Sequence, residues 1–240
     1  MTGSRTITTC VVPIGLWALA SAGLCGTFID DFSDASTTES TWEVVHRDWI
    51  VADGTYSSPG EGGLTQCPIS LLPIEVEDGM VIEAQCADKG DGNWSNFAVV
   101  FAYTEEDEVW AAGAGVGNGQ WRMFRFTPIS SAGGVWGEDI VPGVAVQNAL
   151  VASEWYNIRI EIDGTTVTLY ASSDPEGDDL QETNVYEMDS PPEGRVGLGA
   201  AGASPMFNEI RVTAKGVRPV EARGKLATTW GRVRASVEPL

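Results

Sequence analysis

Histidine is almost absent: His46 is the only one in 240 residues. That removes metal sites built on two imidazoles and any choice of base for a Ser–His–Asp arrangement. Basic side chains are also scarce, 14 against 34 acidic ones, for a formal charge of −20. Six of the bases (Lys215, Arg218, Arg223, Lys225, Arg232 and Arg234) follow Ala214, so the first 214 residues hold 32 acids and 8 bases. So acidic a body repels a phosphate backbone, which argues against nucleic acid as a partner. The four cysteines lack the spacing of a zinc site. The Gly-rich stretches precede no helical pattern, which removes a phosphate loop. No apolar run is long enough to cross a bilayer, the longest being Val11 to Leu19. Between residues 28 and 213 there is no sustained helical periodicity and no internal repeat.

What remains is a chain with 43% hydrophobic residues and 28 glycines, a composition of strands and turns. Arg5, the apolar stretch and Ala20-Ser21-Ala22 read as an export signal over residues 1–22. A short linker (23–27), one domain (28–214) and a basic tail (215–240) follow. Export places the body outside the cytoplasm, in an oxidising compartment. Cys25 is preceded by Ala22-Gly23-Leu24, with no Leu at the first position and no small residue at the last, so lipid anchoring there is the lesser reading. Cys67 and Cys86 fall on adjacent expected strands. They are either a disulfide, worth about 3 kcal/mol, or two buried thiols. In the tail, Leu226, Trp230, Val233 and Val237 have the spacing of a short amphipathic helix, weakened by Gly224 and Gly231. A disordered basic end fits equally well.

Strands are expected at Phe28–Phe32, Trp42–Val45 and Trp49–Ala52, with a tight turn at Asp53-Gly54. Two more flank Pro73–Gly79, and long apolar strands follow at Trp94–Tyr103, Val109–Val116 and Gln120–Phe126. Residues 128–148 read as loop. The clearest element is WYNIRIEIDGTTVTLYAS. A turn centred on Asp163-Gly164 pairs Ile162 with Thr165, Ile160 with Val167 and Ile158 with Leu169. The aliphatic residues then share one face, and Asn157, Arg159, Glu161, Thr166 and Thr168 share the other.

The segments IDDFSDAS, WEVVHRDWIVADGTYSS, MVIEAQCAD, GNWSNFAVVFAYTEEDEVWAAGAGVGNGQWRMFRF, EWYNIRIEIDGTTVTLYAS and GRVGLGAAGASPMFNEIRV occur in this order. Together they resemble the concanavalin A-like lectin/glucanase superfamily, laminin-G-like jelly rolls included, in the bacterial branch related to 3-keto-disaccharide hydrolases. The resemblance covers about residues 28–214. It implies an all-β fold, a two-sheet antiparallel jelly-roll sandwich that often holds saccharide on a concave face. Structural calcium is also implied, pinning the first strand to the last. Asp30 and Asp31 match its first-strand position, and Asn208 stands where the last strand usually has Asp. The glucanase branch carries Glu-x-Asp-x-x-Glu. Here Glu161-Ile162-Asp163 lacks the final Glu and reads as part of the hairpin.

Saccharide binding is expected to rest on aromatic rings, which stack on sugars while nearby polar groups take the hydroxyls. The candidates are Trp110, Trp94, Trp121 and Trp136 with Tyr103 and Arg122. Trp110 leads, because it borders the Ala111–Gly117 stretch, where small side chains either leave a groove or allow close backbone approach. His46-Arg47-Asp48 reads as a polar hairpin tip. The sequence therefore points to a secreted carbohydrate-binding, lectin-like module without a catalytic motif, whose partner is a glycan or another extracellular ligand. The alternatives are a hydrolase or lyase of 3-keto-disaccharide type and an extracellular adhesion or surface-assembly protein.

Overall fold

A computed structural model of the chain describes residues 25–59, 67–89, 96–104, 108–115, 119–127, 138–145, 151–172, 180–200 and 203–217. Within them, two eight-stranded antiparallel sheets pack into a jelly-roll sandwich. Sheet I runs in the order β14 (Gln181–Glu187), β13 (Thr166–Ala171), β12 (Tyr156–Asp163), β6 (Val81–Asp88), β16 (Pro205–Ala214), β4 (Thr55–Ser57) and β3 (Ile50–Ala52). β1 (Gly26–Asp30) pairs with the second half of β16. Sheet II runs β10 (Glu138–Asp139), β9 (Gln120–Phe126), β8 (Val109–Gly115), β7 (Asn96–Tyr103), β15 (Arg195–Gly199), β5 (Ile69–Glu75) and β2 (Glu43–His46). β11 (Val144–Ala145) also pairs with β9.

Alternation along each strand builds the core. Ile82, Ala84 and Cys86 of β6, Ile158, Ile160 and Ile162 of β12, and Val167 and Leu169 of β13 point inward. They meet Phe97, Val99 and Phe101 of β7, Trp121 and Met123 of β9, and Val196 and Leu198 of β15. β16 reaches both Phe207 and Ile210 inward because a bulge at Asn208 adds one residue between them.

The 12–13 hairpin has the expected faces in a different register. Ile162 pairs with Val167, Ile160 with Leu169 and Ile158 with Ala171, so Gly164-Thr165 forms the loop. Asp163 stays in the strand because its neighbours are held from the β6 side. Ile162 N donates to Met80 O (3.0 Å), and Gly164 N donates to Asp78 Oδ1 (2.8 Å). On the other side, Thr166 Oγ1 donates to Glu187 Oε2 (2.7 Å), and hydrogen bonds from Thr165 and Thr166 hold the Glu187 carboxyl below its usual range. The shift is two residues, an even number, so every side chain keeps its face. The turn with positive φ at both central residues is instead Asp53-Gly54 (53° and 73°), between paired Ala52 and Thr55.

One element was not legible, helix α1 (Ala35–Thr41). Its sequence, ASTTEST, is too short to show a helical period and poor in helix formers. Asp34 caps it, accepting from Ser36 N and Thr37 N. Asp30 fixes its far end. The Asp30 carboxylate accepts from Phe32 N (2.9 Å), Thr38 Oγ1 (3.1 Å) and Trp42 Nε1 (2.9 Å). Phe32, at φ 50°, thereby reaches a cluster of rings, 5.2 Å from Tyr56 and 6.0 Å from Trp42. Tyr56 closes this end of the sandwich, its hydroxyl 2.7 Å from Ser70 Oγ of the opposite sheet, and burial pushes the phenol up to about 12.

The cysteine pairing is corrected. Cys67 and Cys86 are separate buried thiols. Cys86 faces the core from sheet I, whereas Cys67 belongs to the cluster on the far side of sheet II. Burial raises the Cys86 thiol well above its usual value. Of the two readings the disulfide fails, because β5 and β6, which follow each other in sequence, lie in opposite sheets. The signal segment, Trp94, Trp136 and the tail beyond Val217 lie outside the described residues. None of the helices among the described residues is long and apolar enough to cross a membrane.

Asp30→Asn should lower unfolding free energy by about 1–3 kcal/mol, measured by denaturant titration, because it weakens all three acceptor contacts. Wild-type stability in that variant would contradict the role given to Asp30.

Candidate functional site

The outward faces of the two sheets differ sharply. On sheet II, Ile69 and Leu71 of β5, Ala98 and Val100 of β7, and Val109 and Ala111 of β8 point away from the core, yet each is fully buried. The small residues of β8 are there for close approach rather than for a groove. A Cβ on Gly113 would stand 2.0 Å from the carbonyl oxygen of Phe97. His46 also lies on this face. It ends β2 rather than forming a hairpin tip, since β2 belongs to sheet II and β3 to sheet I, and the chain crosses between them through Arg47 at φ 63°. His46 and Tyr103 are both about nine-tenths buried, with Tyr103 Oη 3.5 Å from His46 Nε2.

Of the residues expected to hold saccharide, the four described ones, Trp110, Trp121, Tyr103 and Arg122, are therefore not gathered on one open face. Trp121 is 2% exposed inside the core, 6.2 Å from Tyr156 and 6.3 Å from Phe97. Trp110 alternates with Val109 and Ala111, so it points toward sheet I at the rim of the sandwich. There its ring lies 6.0 Å from Tyr186, nearly parallel, with the Arg125 guanidinium 5.2 Å from the ring centre. Its Nε1 donates to Glu108 Oε2 (3.2 Å). Ring and N–H are both engaged, and the cluster closes an edge. Arg122 pairs with Asp139 of β10. Tyr103 belongs to the buried face.

Sheet I presents the opposite surface. Its register aligns side chains from five strands in one row, Arg211 beside Glu83, then Arg159, Tyr170 and Glu182. A neighbouring row sets Glu209 beside Gln85 and Gln85 beside Asn157, with Gln85 Nε2 donating to Asn157 Oδ1 (3.3 Å). A third carries Thr213, Val81, Glu161 and Thr168. Arg159 pairs with Glu161, and Arg211 Nη2 lies 3.2 Å from Glu209 Oε1. These four side chains are 33–39% exposed. The Arg159 guanidinium lies 6.0 Å from the Tyr170 ring centre. Partial burial, with the charges of Glu161 and Glu182, raises the Tyr170 phenol above its usual value. This is an open array of donors and acceptors around one ring.

From the sequence, Asn157, Arg159 and Glu161 were expected on the polar face of the 12–13 hairpin and were given no ligand, while Glu83, Gln85, Tyr170, Glu182, Glu209 and Arg211 were not singled out. The signal that was missing is lateral. Neither β6 beside β16 nor β6 beside β12 joins strands adjacent in sequence, so the row appears only once the sheet is assembled.

The residues expected to hold calcium fit such a cage poorly. The Asp30 oxygens already face three N–H and O–H donors, Asp31 Oδ1 accepts from Ser33 N (3.1 Å), and Asn208 is the bulge residue of β16. Among the described residues, no group of three or more His, Cys, Asp or Glu side chains is placed to hold a metal ion. A separate cleft of about 460 Å³ lies between Phe28, Ile74, Glu75 and Glu77. Glu77 Oε1 there accepts from Gly216 N (2.8 Å), a bond that ties the end of β16 down.

No protein-family model matches the sequence, and no curated protein matches it. Solved structures do resemble it. The carbohydrate binding module CBM66 from Bacillus subtilis has a TM-score of 0.56 at 14% identity, covering 71% of this chain and 94% of that one. A structure of the endo-acting O-glycanases with which human gut microbiota initiate mucin breakdown has a TM-score of 0.52 at 12% identity, covering 78% and 98%. An engineered GH43 glycoside hydrolase has a TM-score of 0.52 at 13% identity, covering 80% of this chain and 41% of that one. At these identities the likeness establishes the fold alone, a two-sheet antiparallel jelly roll.

Replacing Gly113 by Val should cost about 1–3 kcal/mol of stability, read as a fall in the unfolding midpoint. Full stability would mean that β8 has the room of a groove after all.

Proposed function

We propose that this chain is a carbohydrate-binding module that takes glycan across the outward face of sheet I. The observation that carries the reading is the contrast between the faces: that of sheet II is apolar and buried, whereas sheet I displays Gln85, Arg159, Tyr170 and Arg211 on a half-exposed lattice. Sugar hydroxyls are neutral groups that both donate and accept. Side-chain amides, guanidinium groups and carboxylates in adjacent rows match such pairs, and a tyrosine ring covers the apolar face of a pyranose. The β-strand scaffold fixes these groups before ligand arrives, which lowers the ordering cost of binding.

The resemblance to carbohydrate-binding and glycoside-cleaving structures agrees with this reading at the level of ligand class. Binding is favoured over hydrolysis because Glu161 and Glu209 are each tied to an arginine on their own strand, and Glu83 and Glu182 stand three strand steps apart, roughly 14 Å, too far for a catalytic carboxylate pair. Export to the cell exterior, read from residues 1–22, would bring the module to its glycan.

Glycan-array and calorimetric binding by the purified chain test this. Tyr170→Ala and Arg159→Ala should each weaken binding about tenfold, equal to about 1.4 kcal/mol, with an unfolding midpoint close to wild type. Trp110→Ala should leave affinity unchanged. Binding lost in Trp110→Ala but kept in Tyr170→Ala would place the site elsewhere. Release of reducing sugar would replace the binding reading with a hydrolytic one.

A further inference from the structure

We infer that the ligand of this face is an uncharged, extended glycan chain lying across the strands, and that the face discriminates against glycans bearing carboxylate or sulfate. The inference rests on the binding reading above and adds the ligand's charge, direction and length.

Direction and length follow from the register. The row from Arg211 through Glu83, Arg159 and Tyr170 to Glu182 crosses five strands, and four inter-strand steps of roughly 4.8 Å make about 19 Å. Glu182 lies on β14, the edge strand of the sheet, and beyond Arg211 the same row continues to Ile29 of β1. Among the described residues, no larger side chain of the row closes either end. A track of this length, open at both ends among the described residues, suits an internal segment of a chain, whereas a single sugar would meet only two or three of the aligned groups.

Charge follows from the ion pairs. Anionic sugars are recognised by guanidinium groups with hydrogen bonds to spare. Here Arg159 is paired with Glu161 and Arg211 with Glu209, each two residues away on its own strand. The remaining acids of the row, Glu83 and Glu182, take part in no ion pair among the described residues. Two guanidinium groups against four carboxylates leave the face negative, on a chain of net charge −20. A uronate or sulfate would have to break an existing pair while approaching a surface of its own sign. Neutral hydroxyls face neither cost.

The test measures binding of the full chain to uncharged β-glucan, xylan and mannan oligosaccharides of increasing length, beside oligogalacturonates and sulfated oligosaccharides of similar length. The expected result is affinity for at least one uncharged series that rises with length and changes little between low and high salt. Anionic series should bind about tenfold or more weakly at low salt, where repulsion is least screened. In the double variant Glu83→Gln, Glu182→Gln, residual binding of oligogalacturonate should rise relative to the uncharged series. Anionic oligomers bound as tightly as uncharged ones, or a disaccharide bound as tightly as the longest oligomer, would overturn the inference while leaving glycan binding in place. Absence of binding to every series would overturn the binding reading, and this inference with it.

Discussion

Burial of one side of β6 decides what stands on its other side. Ile82, Ala84 and Cys86 enter the core between the sheets, and each large aliphatic side chain so buried contributes about 1.5–3 kcal/mol. A slip of one residue would drive Glu83 and Gln85 into that core and expose the isoleucine. The same constraint acts on β12 and β16, which pair with β6 on either side. Three strands held by apolar burial therefore set the polar groups on their reverse at fixed lateral spacing. The polar lattice on the reverse of these strands is thus a by-product of the core.

The two sheets use the same rule to opposite effect. Sheet I alternates apolar and polar residues, so one of its faces is open. In sheet II the alternation is weak: β7 is buried along its whole length, and β8 carries alanine and glycine on both sides. A strand buried on both faces reads as a continuous apolar run, which is how NFAVVFAY appears. The ends of the sandwich are closed by specific contacts. At one, Asp30 gathers Phe32, Thr38 and Trp42 against Tyr56. At another, Trp110, Arg125 and Tyr186 stack across the rim.

Much of this fold was legible in the sequence, because period-two patterning survives local errors. The 12–13 hairpin shows why. Its turn was placed one residue too early, the pairing therefore moved by two, and every face was still assigned correctly. Features that depend on tertiary placement were not legible. α1 has no periodic stripe and exists through its Asp34 cap and the Asp30 anchor. His46 looked like a tip because Trp42 and Trp49 suggested one hairpin, whereas the chain changes sheets between them. Cys67 and Cys86 looked adjacent for the same reason. Trp110 drew attention as an aromatic beside small residues, yet parity along β8 turns it inward. The polar row of sheet I was not legible, Arg159 alone of its members having been placed, since the row joins strands far apart in sequence.

Ligand is expected to meet the outward face of sheet I and not that of sheet II. Radical footprinting by mass spectrometry, with and without a saturating mixture of uncharged oligosaccharides, measures this directly. Tyr170 should be protected on ligand addition, while Phe124 and Trp110 keep their reactivity. Protection of Phe124 or Trp110 with Tyr170 unchanged would contradict the claim and return the site to β8 and β9.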